Sequence, residues 1–282
     1  MIKTVYEIPA NLERSLNTQG DSDTALTAKD SLVLALVADL HEHNPAKVLK
    51  ILRDAQPDVI AVAGDTLERH EHGENLDKGD TSIFSRFICA GIHIADRMSG
   101  IRYREKRDVK VEYAYRFLRE ASKIAPVVMS IGNHELYLMD EDRKVISGAG
   151  VKLLDNEAVE INGVLFGGLT SKQVTGKMDT DFLSDFSEYH GYKVLLCHHP
   201  EYFPQLQSYP IDLILSGHCH GGQIRVCGKG IFAPGQGILP HYHHGVYEGS
   251  SGGRMVVSAG CSNTTWIPRW GNETEVVIVR LG

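Results

Sequence analysis

The first continuous apolar run of this chain is Ser31-Leu32-Val33-Leu34-Ala35-Leu36-Val37-Ala38, which predicts a strand that is buried on both faces. Asn44-Pro45 follows and opens a periodic apolar segment up to Leu52, which predicts a helix with proline at an early position. A second apolar run, residues 58–63, returns to the strand pattern. Strand, helix and strand in this order form a β-α-β unit, so we expect parallel pairing and a right-handed crossover.

The rest of the chain shows two different sequence patterns. The front half continues with a third apolar run at residues 126–131, whereas the part after residue 150 consists of short strand-like runs separated by glycine. Two packed mixed β-sheets flanked by helices accommodate both patterns, so we predict an α/β fold arranged as a four-layer α/β/β/α sandwich. We expect a single domain over residues 31–282, an arm or edge strand within residues 1–30, and an insertion at about residues 69–110.

Composition narrows the classes of protein that fit. The chain has 282 residues and a formal net charge of −7, and an acidic surface disfavours a non-specific nucleic-acid binder. Its five cysteines form an odd, scattered set that does not indicate a disulfide framework. The first residues lack the apolar core of a signal peptide, and no run reaches the ~18 apolar residues of a transmembrane helix. We therefore expect a soluble cytoplasmic protein with reduced thiols.

Each predicted strand ends in a polar cluster that contains acids, amides or imidazoles. The clusters are Asp39-Leu40-His41, Gly64-Asp65, Gly132-Asn133-His134-Glu135, Cys197-His198-His199-Pro200 and Gly217-His218-Cys219-His220. Sites in open α/β sheets form at the carboxyl ends of the strands, so we expect these clusters to converge. Oxygen and imidazole donors together suit manganese, iron or zinc, whereas calcium prefers oxygens and structural zinc prefers thiolates. A carboxylate can bridge two such ions, which then clamp a phosphoryl group.

The ordered series of these five clusters resembles the calcineurin-like metallophosphoesterases. The likeness runs from about residue 31 to the C-terminus, and Gly217–Arg225 with Pro268-Arg269 looks most like the bacterial predicted-phosphohydrolase branch. The resemblance implies two divalent metal ions. The first would be held by Asp39, His41, Asp65 and His220, and the second by Asp65, Asn133, His198 and His218.

The resemblance also implies roles in catalysis for His134 and Glu68. His134 would lie outside the metal ligands and would donate to a phosphate oxygen or protonate the leaving group. In some members of the family a carboxylate three residues after the bridging aspartate orients this histidine. That position is occupied here by Glu68 rather than by aspartate.

Several of these residues have simpler explanations. Any one of the predicted histidine ligands taken alone is more often an ordinary core or surface histidine, and only the ordered set favours a metal site. Cys197 and Cys219 have a thiolate zinc site as their alternative, although small apolar fillers beside the ligands are favoured. We expect His199 to lie behind the ligands or to be exposed.

Substrate contacts are predicted at fewer positions. Arg269 is the best candidate for an arginine near the site, and His241, with its neighbours His243 and His244, lines the substrate pocket or belongs to a solvated loop. The basic run at residues 102–110 binds substrate phosphates or, more commonly for such runs, forms a solvated face. The apolar segment Ile83–Met98 is interpreted as a helix packed on the core, with a lid or a membrane contact as alternatives.

The function predicted from these features is that of a binuclear-metal phosphoesterase. It would hydrolyse a phosphomonoester or phosphodiester by in-line attack of a metal-bridging hydroxide. The substrate would be a small phosphorylated molecule, with nucleotide-sugar or lipid-linked phosphodiesters among the candidates because some relatives use them, and no nucleic acid is expected. The alternatives are a catalytically weak scaffold on the same fold and a nuclease of the same family. Substrate, metal identity and oligomeric state are left open by the sequence.

Overall fold

The computed structural model describes residues 1–10, 12, 31–69, 107–171, 178–264 and 267–282. The longer helices are α1 (Ala46–Ala55), α2 (Arg107–Ala121), α3 (Asp140–Gly148), α4 (Thr180–Ser187) and α5 (Phe203–Leu206). Three short 3₁₀ turns cover Asn133–Glu135, Pro200–Tyr202 and His220–Gly222. The strands are β1 (Ile2–Ile8), β2 (Leu32–Val37), β3 (Val59–Ala63), β4 (Val127–Ser130), β5 (Lys152–Leu154), β6 (Glu157–Ile161), β7 (Val164–Leu169), β8 (Tyr192–Cys197), β9 (Leu213–Ser216), β10 (Arg225–Val226), β11 (Lys229–Gly230), β12 (Phe232–Ala233), β13 (Gly237–Ile238), β14 (Gly245–Glu248), β15 (Arg254–Val257) and β16 (Glu275–Leu281).

Two six-stranded mixed sheets form the centre of the fold. The first sheet has the order β1-β16-β2-β3-β4-β5, and the second has the order β14-β15-β9-β8-β7-β6. Strands β2 to β5 are mutually parallel, and so are β7, β8, β9 and β15. Antiparallel pairs join β16 to β2, β6 to β7 and β14 to β15. The predicted β-α-β unit is present as β2, α1 and β3.

Alternate residues of β2 point into two different apolar cores, which explains why its whole run is apolar. Leu34 and Leu36 pack between the two sheets, whereas Ala35 and Val37 pack against the helices that cover the first sheet. A third core lies on the outer face of the second sheet, where α4 and α5 supply Leu183 and other apolar side chains. The layers therefore run helix, sheet, sheet, helix, and the predicted α/β fold of two mixed sheets flanked by helices is confirmed.

Part of the predicted chain organisation falls on residues that the structure does not describe. The predicted insertion falls mostly on residues 70–106, outside the described part of the chain, as do the predicted helix Ile83–Met98 and most of the basic run at 102–110. β1 forms the edge of the first sheet and pairs in parallel with β16. Every helix among the described residues is too short or too polar to cross a bilayer.

Candidate metal centre

The predicted ligand clusters follow strands of both sheets. Asp39 and His41 come after β2 and Asp65 after β3, whereas His198 and His218 follow β8 and β9 of the other sheet. Backbone hydrogen bonds tie the loops together: the amide of His41 donates to the carbonyl of Asp65 at 2.9 Å, and the amide of Gly217 donates to the carbonyl of His198 at 3.2 Å. The site is therefore built where the carboxyl ends of two sheets meet.

An unusual backbone conformation is shared by five of the predicted ligands. The residues with positive φ are Asp39 (55°), His41 (48°), Asp65 (56°), His218 (68°) and His220 (45°). Left-handed backbone is disfavoured for residues that carry a Cβ, and such strain collects at functional sites. In this protein the left-handed conformation turns the backbone sharply after each strand, at the residues that carry the predicted ligands.

The side chains converge on the carboxylate of Asp65. Its Oδ2 lies 3.0 Å from Nε2 of His198 and 3.7 Å from Nε2 of His41. His198 Nε2 is also 3.0 Å from Oδ1 of Asn133. Ligand-type atoms cluster in two sets, and within each set all of them lie within 4.8 Å of one another. The sets are Asp39–His41–His220 and Asp65–His198–His218. Asp65 thus occupies the middle of the seven predicted ligands, all of which are buried.

Two atoms of this centre are buried without a hydrogen-bond partner among the described residues. They are Oδ2 of Asp39 and Nε2 of His41. Buried polar atoms in native proteins are nearly always satisfied, so atoms of this kind need an explanation. A carboxylate oxygen and an imidazole nitrogen are atoms that a divalent cation can satisfy, and the donor set of oxygens and imidazoles fits one.

Neighbouring histidines influence the pKa values of the two buried carboxylates, Asp39 and Asp65. Burial raises the pKa of Asp39, with His198 opposing this and the adjacent Asp65 carboxylate adding to it. Burial acts in the same direction on Asp65, but His198 and His134 outweigh it and hold the pKa of Asp65 well below its usual range. Burial lowers the pKa of His198, but Asp65 outweighs it and raises the value to about 9. Two buried carboxylates side by side thus form a site suited to cations.

His134 and His41 share the carboxylate of Glu68. Oε2 of Glu68 lies 2.8 Å from Nδ1 of His134, and Oε1 lies 2.6 Å from Nδ1 of His41. Burial lowers the pKa of His134, but Glu68 and Asp65 outweigh it and raise the value to about 10. The side chain of His134 is 22% exposed, more than that of His41 at 1%. His134 is therefore the histidine of this pair that faces the opening of the site.

Glu135 is a residue of the site that sequence analysis quoted but did not assign. Its buried carboxylate accepts four backbone N–H bonds, from Asp65, Thr66 and Leu67 after β3 and from Gly132 after β4, at 2.7–3.0 Å. Burial, with the nearby Asp65 carboxylate, raises the pKa of Glu135 to about 7. The side chain fastens the loop of Asp65 to the loop that carries Asn133 and His134. Its position beside His134 in the sequence was the only available signal.

Asn272 holds the turn after β9 and was also missed. Its Nδ2 donates to the carbonyls of His220 at 2.7 Å and Gln223 at 3.0 Å. Gly221, with φ of 63°, leaves room for this contact, since a Cβ there would lie 2.3 Å from Oδ1 of Asn272. Arg225 completes the support by donating to the same Oδ1 at 2.6 Å. These residues thus hold the backbone of the turn that carries His220.

The remaining candidates lie in different surroundings. Arg269 donates to the carbonyls of Ala259 and Ser262 and lies 3.2 Å from Nδ1 of His220, so it reaches the edge of the centre. His241 is exposed, and its ring contacts are with Tyr242 and Tyr247. Its surroundings are thus aromatic.

The thiols beside the ligands are buried. Burial raises the pKa of Cys197 to about 12 and raises that of Cys219 well above its usual range. Cys219 accepts a hydrogen bond from Nε2 of Gln236, and Cys197 donates to the carbonyl of His199. The groups of clustered ligand-type side chains among the described residues contain no cysteine, which favours the interpretation as fillers over a thiolate zinc site.

Comparison with known proteins gives the same family. The model of the calcineurin-like phosphoesterase family matches residues 32–222. A protein of Aquifex aeolicus (strain VF5) named as an uncharacterized metallophosphoesterase is 29% identical over 178 residues, which is 61% of this chain and 66% of that protein. YkoQ of Bacillus subtilis (strain 168), named in the same way, is 25% identical over 224 residues, or 72% of this chain and 66% of its own length. YpbG of the same strain is 31% identical over 168 residues, covering 55% of this chain and 58% of that protein.

This chain thus spans slightly under two thirds of the length of the first two relatives. The matched region contains every strand-end cluster, from Asp39 to His220. It also contains β2 to β9, which carry those clusters. Because this region is more than half of the chain, the protein belongs to the calcineurin-like phosphoesterase family.

Proposed function

We propose that this chain is a phosphohydrolase that cleaves a phosphomonoester or phosphodiester with the help of two divalent cations, manganese, iron or zinc. The observation that carries the proposal is the convergence of seven buried oxygen and imidazole side chains in neighbouring clusters that Asp65 links. A scaffold that had abandoned catalysis would have no reason to keep these groups together, so the geometry favours an enzyme.

The two sets of ligand-type atoms support the proposed division of the ligands. Asp39, His41, Asp65 and His220 would hold one cation, and Asp65, Asn133, His198 and His218 the other. Cations at these positions would supply an activated water for in-line attack and would offset negative charge on the phosphoryl group. The Oδ2 atom of Asp65 faces histidines of both sets, which suits a bridging carboxylate.

His134 is proposed to act on the substrate rather than on a cation. Glu68 engages its Nδ1, whereas Nε2 lies 3.9 Å from Oδ2 of Asp65, and the side chain is 22% exposed. A protonated imidazole held in this way can donate a hydrogen bond to a phosphate oxygen or protonate the leaving group. Glu68 would keep the ring in orientation and stabilise its positive charge.

Substrate contacts and cellular location are further parts of the proposal. Arg269 is proposed to face the phosphoryl group because it reaches His220, and His241 is proposed to lie at the outer rim because it is exposed. A small substrate, such as a nucleotide-sugar or lipid-linked phosphodiester, is proposed. Cys197, Cys219 and two further described cysteines are free thiols, which supports a reducing compartment such as the cytoplasm.

The proposal is tested with Asp65→Asn. We expect it to abolish turnover of generic aryl phosphate mono- and diesters and to reduce bound metal, because an amide is a poor bridge between cations. Elemental analysis alongside the substrate panel gives both readouts. Asp54→Asn, an exposed change of the same kind on α1, serves as the control and should keep both. Full activity at full metal content in Asp65→Asn would contradict the proposal.

A further inference from the structure

A further group of ligand-type side chains includes His218. His199 and Glu201 follow β8, and their ligand-type atoms and that of His218 all lie within 4.8 Å of one another. The rings of His199 and His218 are 4.3 Å apart between centroids. His199 and His218 are 4% and 5% exposed, so both imidazoles are buried. We call these three residues the accessory cluster.

The two ring nitrogens of His199 face different partners. Nδ1 lies 3.0 Å from Oε1 of Glu201, and Nε2 lies 2.5 Å from Oγ of Ser171. Histidine ligands usually bind metal through one nitrogen and donate the other N–H to an oxygen that fixes the ring. Ser171, itself held by a backbone bond to the carbonyl of Ile131 after β4, provides that oxygen. Nδ1 and Glu201 then face the inner side of the cluster together.

The carboxylate of Glu201 has room for a further partner. Its Oε2 is buried without a hydrogen-bond partner in the part of the chain that the structure describes. On the other side, Gly235 approaches so closely that a Cβ there would lie 2.2 Å from Oε1. Glycine at this position, with φ of 71°, therefore lets the carboxylate lie against His199 with its second oxygen unsatisfied.

Two imidazoles and one carboxylate are a donor set of zinc sites. Tetrahedral zinc with bonds of about 2.1 Å places its ligand atoms about 3.4 Å apart. The 3.0 Å between Nδ1 of His199 and Oε1 of Glu201 is close to this separation. The ligand-type atom of His218 lies within 4.8 Å of those of His199 and Glu201. A zinc ion could thus be held by side chains already in place, with one coordination position left over.

We propose that His199, Glu201 and His218 form a third, inhibitory zinc site that competes with the catalytic pair for His218. This rests on the proposed function, in which His218 is a ligand of the second cation. A neutral imidazole has a single lone pair, so His218 can serve only one cation at a time. With three ligands and a single carboxylate, the accessory cluster fills after the centre around Asp65. Zinc in excess then removes a ligand from the second catalytic cation and slows turnover.

The direct test counts zinc ions bound at saturation. Wild-type protein and Glu201→Gln are dialysed against excess zinc, and the bound metal is measured per chain. We expect Glu201→Gln to bind one zinc fewer than the wild type, because the neutral amide is a poor zinc ligand. Glu188→Gln, an exposed change of the same kind, should match the wild type. His199→Gln removes a different ligand and should show the same loss, which covers the case that one variant fails to fold.

A second measurement follows the rate against zinc concentration. The rate of the wild type should rise to a maximum and then fall in excess zinc. The rate of Glu201→Gln should rise and then stay constant. Equal zinc binding in the wild type, Glu201→Gln and His199→Gln would overturn the inference, and so would inhibition that persists in both variants.

The two proposals fail separately in these experiments. The third site is judged by the difference between the wild type and Glu201→Gln, whereas the catalytic centre is judged by the difference between the wild type and Asp65→Asn.

Discussion

Glu68 is the residue at which the proposed metal binding and the proposed proton transfer meet. One carboxylate oxygen faces Nδ1 of His41, a proposed metal ligand, and the other faces Nδ1 of His134, the proposed acid. Burial raises the pKa of Glu68, but His134 and His41 outweigh it and hold the value well below the usual range. The orientation of the proposed metal ligand and that of the proposed acid therefore both depend on the charge of Glu68.

Replacement of Glu68 should affect both histidines. In Glu68→Gln one oxygen becomes an NH₂ group that meets a ring N–H, so one of the two contacts is lost. We expect kcat to fall and metal affinity to weaken by about 10–100-fold, the usual cost of losing a partner behind a metal ligand. Metal titration and steady-state kinetics measure the two effects, with exposed Glu157→Gln as the control. Unchanged metal affinity would show that Glu68 acts on His134 alone.

The role of His134 can be separated from that of a ligand. Its Nε2 lies 3.9 Å from Oδ2 of Asp65, and with His41 and Asp65 it forms another group of clustered ligand-type atoms. If it acts on the substrate, His134→Ala should retain both cations while kcat falls by roughly 10²–10⁴, the range for acid–base residues. Elemental analysis of the variant decides the point, because a lost equivalent of metal would make His134 a ligand.

At the scale of elements, the apolar runs predicted the strands that carry the site, because a strand buried on both faces needs apolar residues at every position. The polar residue that ends each run, such as Asp39 after β2, then marks the end of the sheet. Contacts between distant segments leave no such pattern. Glu135 reaches backbone amides 68–70 residues away, and Asn272 reaches the turn at His220 across 52 residues. Neither contact produces a periodic signal in the sequence.

The accessory cluster illustrates the same limit. His199 was expected to lie behind the ligands or to be exposed, and its burial against Ser171 depends on the pairing of β7 with β8. The short strands β10 to β13 have two residues each, too few to show alternation. Sequence patterns therefore predict regular elements well and predict side-chain partners only where an ordered motif specifies them.

A buried ion pair joins the loop after β3 to α3. Arg69 donates to both carboxylate oxygens of Asp142 at 2.8 Å, and Tyr115 of α2 donates to the same carboxylate at 2.7 Å. Burial raises the pKa of Asp142, but these hydrogen bonds outweigh it and lower the value below the usual range. The backbone of Arg69 also pairs with His134 and Tyr137, so the ion pair supports the loop that presents His134.

Asp142→Asn should lower the free energy of unfolding at pH 7 by about 3 kcal/mol, since Arg69 loses a buried partner. A lowered pKa in the folded state stabilises the protein above the unfolded value of about 3.9, and this contribution is lost as the pH falls below it. The difference between wild type and variant should therefore narrow below about pH 4. Urea unfolding at both pH values measures it, with exposed Asp185→Asn as the control. A difference in unfolding free energy that grows towards acid pH would contradict a lowered pKa of Asp142 in the folded state.

At the scale of the whole molecule, the candidate metal centre lies where the two sheets meet. The first sheet supplies Asp39, His41, Asp65 and Asn133, and the second sheet supplies His198, His218 and His220. Apolar side chains such as Leu36 and Phe166 pack between the sheets. Cations at the centre would thus connect the two layers in addition to this packing and to the backbone hydrogen bonds that join the loops.

Removal of metal should therefore lower the stability of the whole fold. A cation that binds only the folded state adds about 2.7 kcal/mol at a concentration roughly one hundred times its dissociation constant, which corresponds to about 5–10 °C in Tm for a chain of this size. We expect chelation to lower Tm by this amount or more, and readdition of manganese or zinc to restore it. Asp65→Asn should show little response to chelator, because the proposed bridge between the two sets of ligands is gone. Equal shifts in wild type and Asp65→Asn would place the stabilising cation elsewhere in the molecule.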